Sequence, residues 1–226
     1  MKIMHPLFSD PIVFQENRVQ ILVVENPAVF RAMMLDLIAQ SEGRDGEFIL
    51  SKSDHLLDCN DCLHAVYDYA HLEKFEKKTQ SRWIASVLHT AQENMAKETY
   101  DLSLAIQQYL GKLATLVDSP MEYEESNNLA AILKAMDVHV NLEGLSFSEA
   151  LYEHLSLHHR LLKNQCLVLI QARSILSKDE LMKLYKMASY EKWNLLLLES
   201  TLHEKINEFE KYRLFDHDLC ELILEE

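Results

Sequence analysis

QCLVLIQARSILSKDELMKLYKMASYEKWNLLLLES, residues 165–200, decides the fold class. Two apolar runs, Cys166 to Ile170 and Trp193 to Leu198, flank a segment in which Leu181, Leu184, Tyr185 and Ala188 recur at helical spacing. Ser177 followed three residues later by Glu180 has the form of a capping box, so the helix start is signalled by chemistry as well as by period. Strand, crossover helix and strand is the expected reading. Uninterrupted apolar strands belong where both sheet faces are covered, and a crossover of this length joins parallel strands in the right-handed sense. The chain therefore contains an α/β layer with a mainly parallel sheet.

Towards the N-terminus, RVQILVVE (18–25) reads as a second strong strand, closed by the turn signal Asn26-Pro27. Val29, Phe30, Met33, Met34, Leu37 and Ile38 then repeat at helical spacing up to Gln40. Strand, turn and helix follow in the order of a P-loop protein, but the turn ENPAVF has none of the residues that cradle phosphate. Glycine is scarce, at Gly43, Gly46, Gly111 and Gly144 only, and no glycine-rich loop ending in Lys and Ser or Thr exists. The likeness to nucleotide-binding architecture is geometric at best.

Ahead of that strand, MKIMHPLFSDPIVFQ (1–15), broken by Pro6 and Pro11, suggests an edge strand or hairpin, and GEFILS (46–51) a short strand. From Asp54 to about Val117 the pattern is helical, with breaks expected near His71–Glu73 and Glu98–Asp101. The acidic turn VDSPMEYEES (117–126), a helix over 127–136 and the extended piece VHVNL follow. An amphipathic helix over 146–162 feeds the strand at Cys166. A short helix near His203–Phe209 and a final strand within 212–224 close the chain. The expected organisation is an α/β part from residues 1–56 and 138–226, with a helical lobe over 57–137 inserted between them.

A hydrophobic fraction of 48% with 26% charged residues is ordinary for a globular protein. No apolar run approaches the roughly 20 residues that span a bilayer, and MKIMHPLFSDP lacks a signal-peptide core, so a cytoplasmic protein without membrane contact is expected. Cys59, Cys62, Cys166 and Cys220 are too scattered for a disulfide framework and are expected to be thiols. The formal charge of −14 on average repels nucleic acid, so any DNA-binding surface must be locally basic or assisted by a metal.

The order PIVFQENRVQILVVENPAVF, helical insertion, SPMEYEES, AAILKAMDVHV, the 165–200 stretch and closing YRLFDHDL resembles the ring-forming, DNA-end-binding Csn proteins of type II-A CRISPR loci, in their short form. The resemblance runs through essentially the whole chain and is most specific around LSKDE and FDHDL. It implies a head domain resembling a degenerate P-loop ATPase and an all-helical leg domain. It further implies a homotetrameric ring threaded by linear double-stranded DNA, calcium near the hinge, and a role in acquiring new spacers. The partners implied are the CRISPR integrase complex and the RNA-guided effector nuclease of the same locus.

Asp118, Glu122, Glu124 and Glu125 fall within eight residues of a Pro-broken turn. Clustered carboxylates can converge on calcium, which takes six to eight oxygen ligands, and the position matches the family's acidic hinge. A solvated acidic loop is the plain alternative. Lys74, Lys78 and Arg82 would form one stripe on a helix, with Lys77 adjacent, able to track phosphates without reading bases; Glu73 and Glu76 leave an ion-paired surface helix open. Lys52 stands where the family carries basic residues facing the ring channel. Arg160 and Lys163, beside His158 and His159, are a third basic candidate.

HLLDCNDCLH (55–64) raises zinc through Cys59 and Cys62 with His55 and His64, although structural zinc sites usually draw a second ligand pair from a distant segment. Cys166 and Cys220 sit in apolar strands and read as core. Asp216 and Asp218, one residue apart, would point the same way on a strand, with His203, Glu204 and His217 as imaginable company; loop or subunit contacts are the simpler reading. No nucleophile with a base is apparent, and a non-enzymatic, sequence-independent DNA-end binder is expected. The alternatives are a helical protein-interaction scaffold and a degenerate P-loop nucleotide hydrolase.

Overall fold

The computed structural model describes residues 1–53, 55–123, 129–162 and 165–224. In chain order the elements are β1 (Lys2–Met4), β2 (Ile12–Val13), β3 (Val19–Val24), α1 (Pro27–Ser41), β4 (Ile49–Lys52), β5 (His55–Leu57), α2 (Cys59–Cys62) and β6 (Leu63–Val66). Then come α3 (Lys77–Asn94), α4 (Ala96–Ala114), α5 (Leu129–Ala135), α6 (Phe147–Leu161), β7 (Cys166–Ile170), α7 (Ala172–Ile175), α8 (Lys178–Tyr190), β8 (Asn194–Glu199), β9 (Glu210–Phe215) and β10 (Glu221–Leu224). Two compact units emerge, Met1–Lys74 with Leu142–Glu226, and Phe75–Asn141.

The first unit is built on a six-stranded sheet of order β10-β9-β3-β8-β7-β6, parallel throughout except for the antiparallel edge β10. The 165–200 stretch forms β7, the helices α7 and α8, and β8, with Cys166 paired to Asn194 and Ile170 to Leu198. Both halves of the capping box at Ser177 and Glu180 are made. Every residue of β3 and β7 is buried, as an apolar strand covered on two faces requires. On one face Leu22, Val24, Val168, Ile170, Leu196 and Leu198 pack with Met33 and Leu37 of α1 and with the second sheet. That sheet is antiparallel, of order β2-β1-β4-β5, and contains the hairpin expected at the N-terminus. The opposite face meets α6, through His64 against His154, and α8, through Tyr185 against Glu210.

The second unit holds α3, α4 and α5. No helix among the described residues is long and apolar enough to cross a membrane.

Four local expectations are corrected. Apart from the single turn α2, the helical pattern read from Asp54 onward begins at Lys77, because 55–57 and 63–66 are strands of the two sheets and residues 57–74 belong to the first unit. LHAV is too short and mixed to announce a strand, and its extension follows from pairing with β7, Leu63 to Cys166 and Val66 to Leu169. The break between α3 and α4 lies at Met95, ahead of the expected Glu98–Asp101. Residues 203–209 are not helical: the N–H groups of Ile206 and Phe209 donate to the side chains of Glu210 and Asn207, which withdraws them from a helical ladder. The closing segment is two strands, β9 and β10, joined by a turn.

Candidate functional site

In an open parallel sheet ligands gather at the carboxyl ends of the strands, so the turn from β3 into α1 comes first. Asn26 caps α1: its Oδ1 accepts the N–H groups of Ala28 (3.1 Å) and Val29 (3.3 Å), and its Nδ2 donates to the carbonyl of His217 at 3.0 Å. Pro27, the first helical residue, has no N–H to offer. The donors that a phosphate-binding turn would aim at its ligand are thus consumed within the chain.

Beside this turn, Glu199 ends β8 fully buried, its Oε1 accepting the N–H of Arg173 at 3.0 Å and its Oε2 with no partner among the described residues. Burial pushes its carboxyl up to about 7. Arg173 reaches across to Glu210 (3.1 Å), which also accepts from the hydroxyls of Tyr185 (2.9 Å) and Tyr212 (3.0 Å) and from the N–H of Ile206 (2.7 Å). This ion pair is enclosed and its carboxylate fully occupied, which is the condition for a buried charge to be tolerated. It braces the sheet and leaves no reactive group exposed.

The basic residues divide between the units. Lys74 lies outside any helix, in a turn where its N–H donates to His71, and it belongs to the first unit, so the expected three-member stripe is not formed. The chain at 68–74 is held in turns by Asp68, whose side chain accepts from Ala70 and engages His71. Lys77, Lys78 and Arg82 do lie on α3, with Lys78 and Arg82 one turn apart and Glu73 and Glu76 ahead of the helix. The first turn of α3 carries no acidic residue and its N-cap, Glu76, makes no side-chain capping bond. Two lysines thus sit at the end of the helix where the macrodipole disfavours cations. Lys77, Ser81 and Ile84 of α3 face Lys134 and Ala130 of α5 across a groove of about 650 Å³. Lys134 was not singled out by spacing, since it stands alone among apolar residues. Lys52 ends β4, exposed and paired with His55. Arg160 pairs with Glu153 at 3.7 Å, and Lys163 lies outside the described residues.

Asp118 and Glu122 are exposed on the non-helical segment after α4; Glu124 and Glu125 lie outside the described residues. Carboxylate oxygens are the donors calcium takes, so the donor set fits in kind, and the described pair supplies part of the six to eight oxygens it needs.

The described residues bring together one group with metal-ligating geometry, His64, His154 and His158, whose ligand atoms all lie within 4.8 Å of one another. His64 projects from β6 on the face opposite Leu63 and Ala65, while His154 and His158 are four apart on α6 and so share a face. His154 Nδ1 bonds the carbonyl of Leu72 at 2.7 Å and must carry the proton there, which leaves Nε2 unprotonated. The 2.9 Å contact between the Nε2 atoms of His64 and His154 is then donated by His64. The rings of His64 and His158 stack with centroids 3.4 Å apart. Desolvation drives all three towards the neutral form, His154 to about 4 and His158 to about 3, with His64 held well below the usual range by burial and its two neighbours.

This grouping replaces the zinc set read from HLLDCNDCLH. His55 is exposed on β5, Cys62 packs into the core on the α1 side, and Cys59 bonds the carbonyl of Phe48 at its edge, whereas His64 faces α6. The sheet separates the cysteines from the histidine. Burial raises the Cys59 and Cys166 thiols; Cys166 is core as expected, but Cys220 is exposed in the turn. Asp216 and Asp218 also occupy the β9–β10 turn, where Asp216 Oδ1 accepts the N–H groups of Asp218 (2.9 Å) and Cys220 (2.8 Å). The loop-contact reading of Asp216 holds, and the convergence expected on a strand does not form. Sequence reasoning passed over His154, although its four-residue spacing from His158 on a helix was a usable signal.

A comparison with protein families finds that residues 40–219 match the family described as CRISPR-associated protein (Cas_Csn2).

Proposed function

The chain belongs to the Cas_Csn2 family of CRISPR-associated proteins, and from that premise we propose that it serves spacer acquisition without catalysis, as a calcium-dependent homotetrameric ring holding the ends of linear double-stranded DNA. The observation that carries the DNA-binding part is the cationic start of α3. Lys77 and Lys78 open α3 behind its N-cap Glu76, and Arg82 follows one turn on. The phosphates of a polyanion would meet both these cations and the positive end of the helix. Lys134 across the groove adds to the same surface.

Phosphate contacts of this kind position a duplex without reading its sequence. Each chain is acidic overall, so several copies converging on one duplex are needed for useful affinity. Asp118, Glu122, Glu124 and Glu125 are the residues that would hold calcium, which supplies charge neutralisation among them. The exposed apolar side chains of α4, Tyr100, Leu102, Leu104, Ile106 and Tyr109, are suited to protein contact and support assembly. The first unit serves as a degenerate P-loop-like scaffold; the Asn26 cap supports a head without a phosphate site. The integrase complex and effector nuclease of the locus are the proposed partners.

The experiment is a mobility shift comparing linear with covalently closed circular duplex, each with calcium and with chelator. Retention of linear DNA only, and only with calcium, is expected. Equal, calcium-independent binding of both forms overturns the end-holding reading.

A further inference from the structure

The histidine group belongs to the first unit and shares no residue with the sets invoked above for calcium or DNA. Three buried polar rings converge where β6 meets α6, and burying polar groups costs free energy unless they are fully engaged. Their arrangement has the marks of a ligand set. A strand supplies one imidazole and a helix supplies two at a four-residue spacing, the spacing by which helices present paired histidines to a metal. The Leu72 carbonyl fixes the tautomer of His154 from outside and turns its unprotonated Nε2 inward, as metal-binding histidines are commonly oriented. Nitrogens bound to tetrahedral zinc at ~2.05 Å stand about 3.3 Å apart. The 2.9 Å contact and the 4.8 Å upper limit bracket that separation, and the rings of His64 and His158 must turn out of their 3.4 Å stack to aim both lone pairs at one ion.

We propose that His64, His154 and His158 bind one divalent transition ion, zinc foremost, as a staple between β6 and α6, with water at the fourth position. Neutral imidazole suits zinc and its neighbours and is a poor donor for calcium, so this centre is chemically distinct from the acidic turn. On binding, each ring gives a nitrogen lone pair to the ion; the proton on His64 Nε2 moves to Nδ1, and no net proton is released. The site pins α6, which leads directly into β7, to the edge strand of the parallel sheet.

The test uses the full-length chain stripped of metal and titrated with zinc and with cobalt(II). Expected are about one ion per chain, visible absorption bands of tetrahedral cobalt, and a rise in melting temperature with zinc. His154→Ala/His158→Ala should weaken binding by at least about tenfold, while Cys59→Ser/Cys62→Ser should leave it unchanged. Because removing two core rings can unfold the chain, His158→Gln, close in size, is measured beside it for affinity and cobalt spectrum. Absence of stoichiometric binding by the wild-type chain, or binding that survives the histidine changes and is lost with the cysteines, overturns the proposal. Neither result bears on calcium-dependent DNA binding.

Discussion

Glu199 closes β8 with a carboxyl that burial holds near 7, and its linkage to stability has a definite sign. Its folded value is raised above the ordinary 4.5, so its stabilising contribution is complete below pH 4.5 and is lost as pH rises towards 7. The loss amounts to about 3 kcal/mol, at 1.36 kcal/mol per unit. Glu199→Gln imitates the protonated acid and keeps the oxygen that accepts from Arg173, so the variant should match the wild type in acid and exceed it at pH 8. Chemical unfolding across pH 4 to 8 checks this, and a parallel pair of curves refutes it. At the same scale the sequence reading was partial. Cys59, Cys62 and His64 were legible as residues with ligating chemistry, yet alternation along β6 turns His64 away from the face where Leu63 and Ala65 pack with Cys62 of α2, and only the pairing of β6 with β7 fixes which face is which. His154 belongs with His64 through a contact that no local pattern encodes.

Among elements, α3 is where function can be separated from folding, because its cations are not part of a core. Lys77→Ala, Lys78→Ala and Arg82→Ala together should leave secondary structure intact and weaken duplex binding alike for all sequences. The slope of log affinity against log salt should fall by about one for each phosphate that the variant no longer neutralises. A filter-binding series at several salt concentrations measures it, and an unchanged slope would place the DNA elsewhere. Elements whose causes are local were readable in advance: β7, α8 and β8 from apolar runs and a capping box, α1 from its period and the Asn26-Pro27 start, the N-terminal hairpin from its prolines. Elements whose causes are remote were not. β5 and β6 are strands because β4 and β7 supply their hydrogen bonds, and the stretch before β9 loses its helical tendency to the side chains of Asn207 and Glu210. Asp118 and Glu122 were legible as an acidic segment, with their companions Glu124 and Glu125 outside the described residues.

For the molecule as a whole, a formal charge of −14 makes assembly a matter of conditions: like-charged subunits repel, and a divalent cation among carboxylates lowers that repulsion. Native mass spectrometry with calcium should therefore find four times the 26.3 kDa of one chain, and chelation should shift the population to smaller species. A monomer under both conditions is incompatible with the ring. The placement of β3 has another consequence. It is the third strand to be synthesised, and its two neighbours in the sheet, β8 and β9, are among the last. On the ribosome, a strand of six residues, five of them apolar, waits with both edges unpaired while the helical unit and α6 emerge, and the loop it must close is nearly the whole chain. The helical unit can complete its own contacts during that interval, whereas β3 cannot be paired on both edges until β9 has emerged. Premature termination after the helical unit but before β9 thus yields a chain with a complete insert and an open, adhesive strand, a product marked for chaperone or protease.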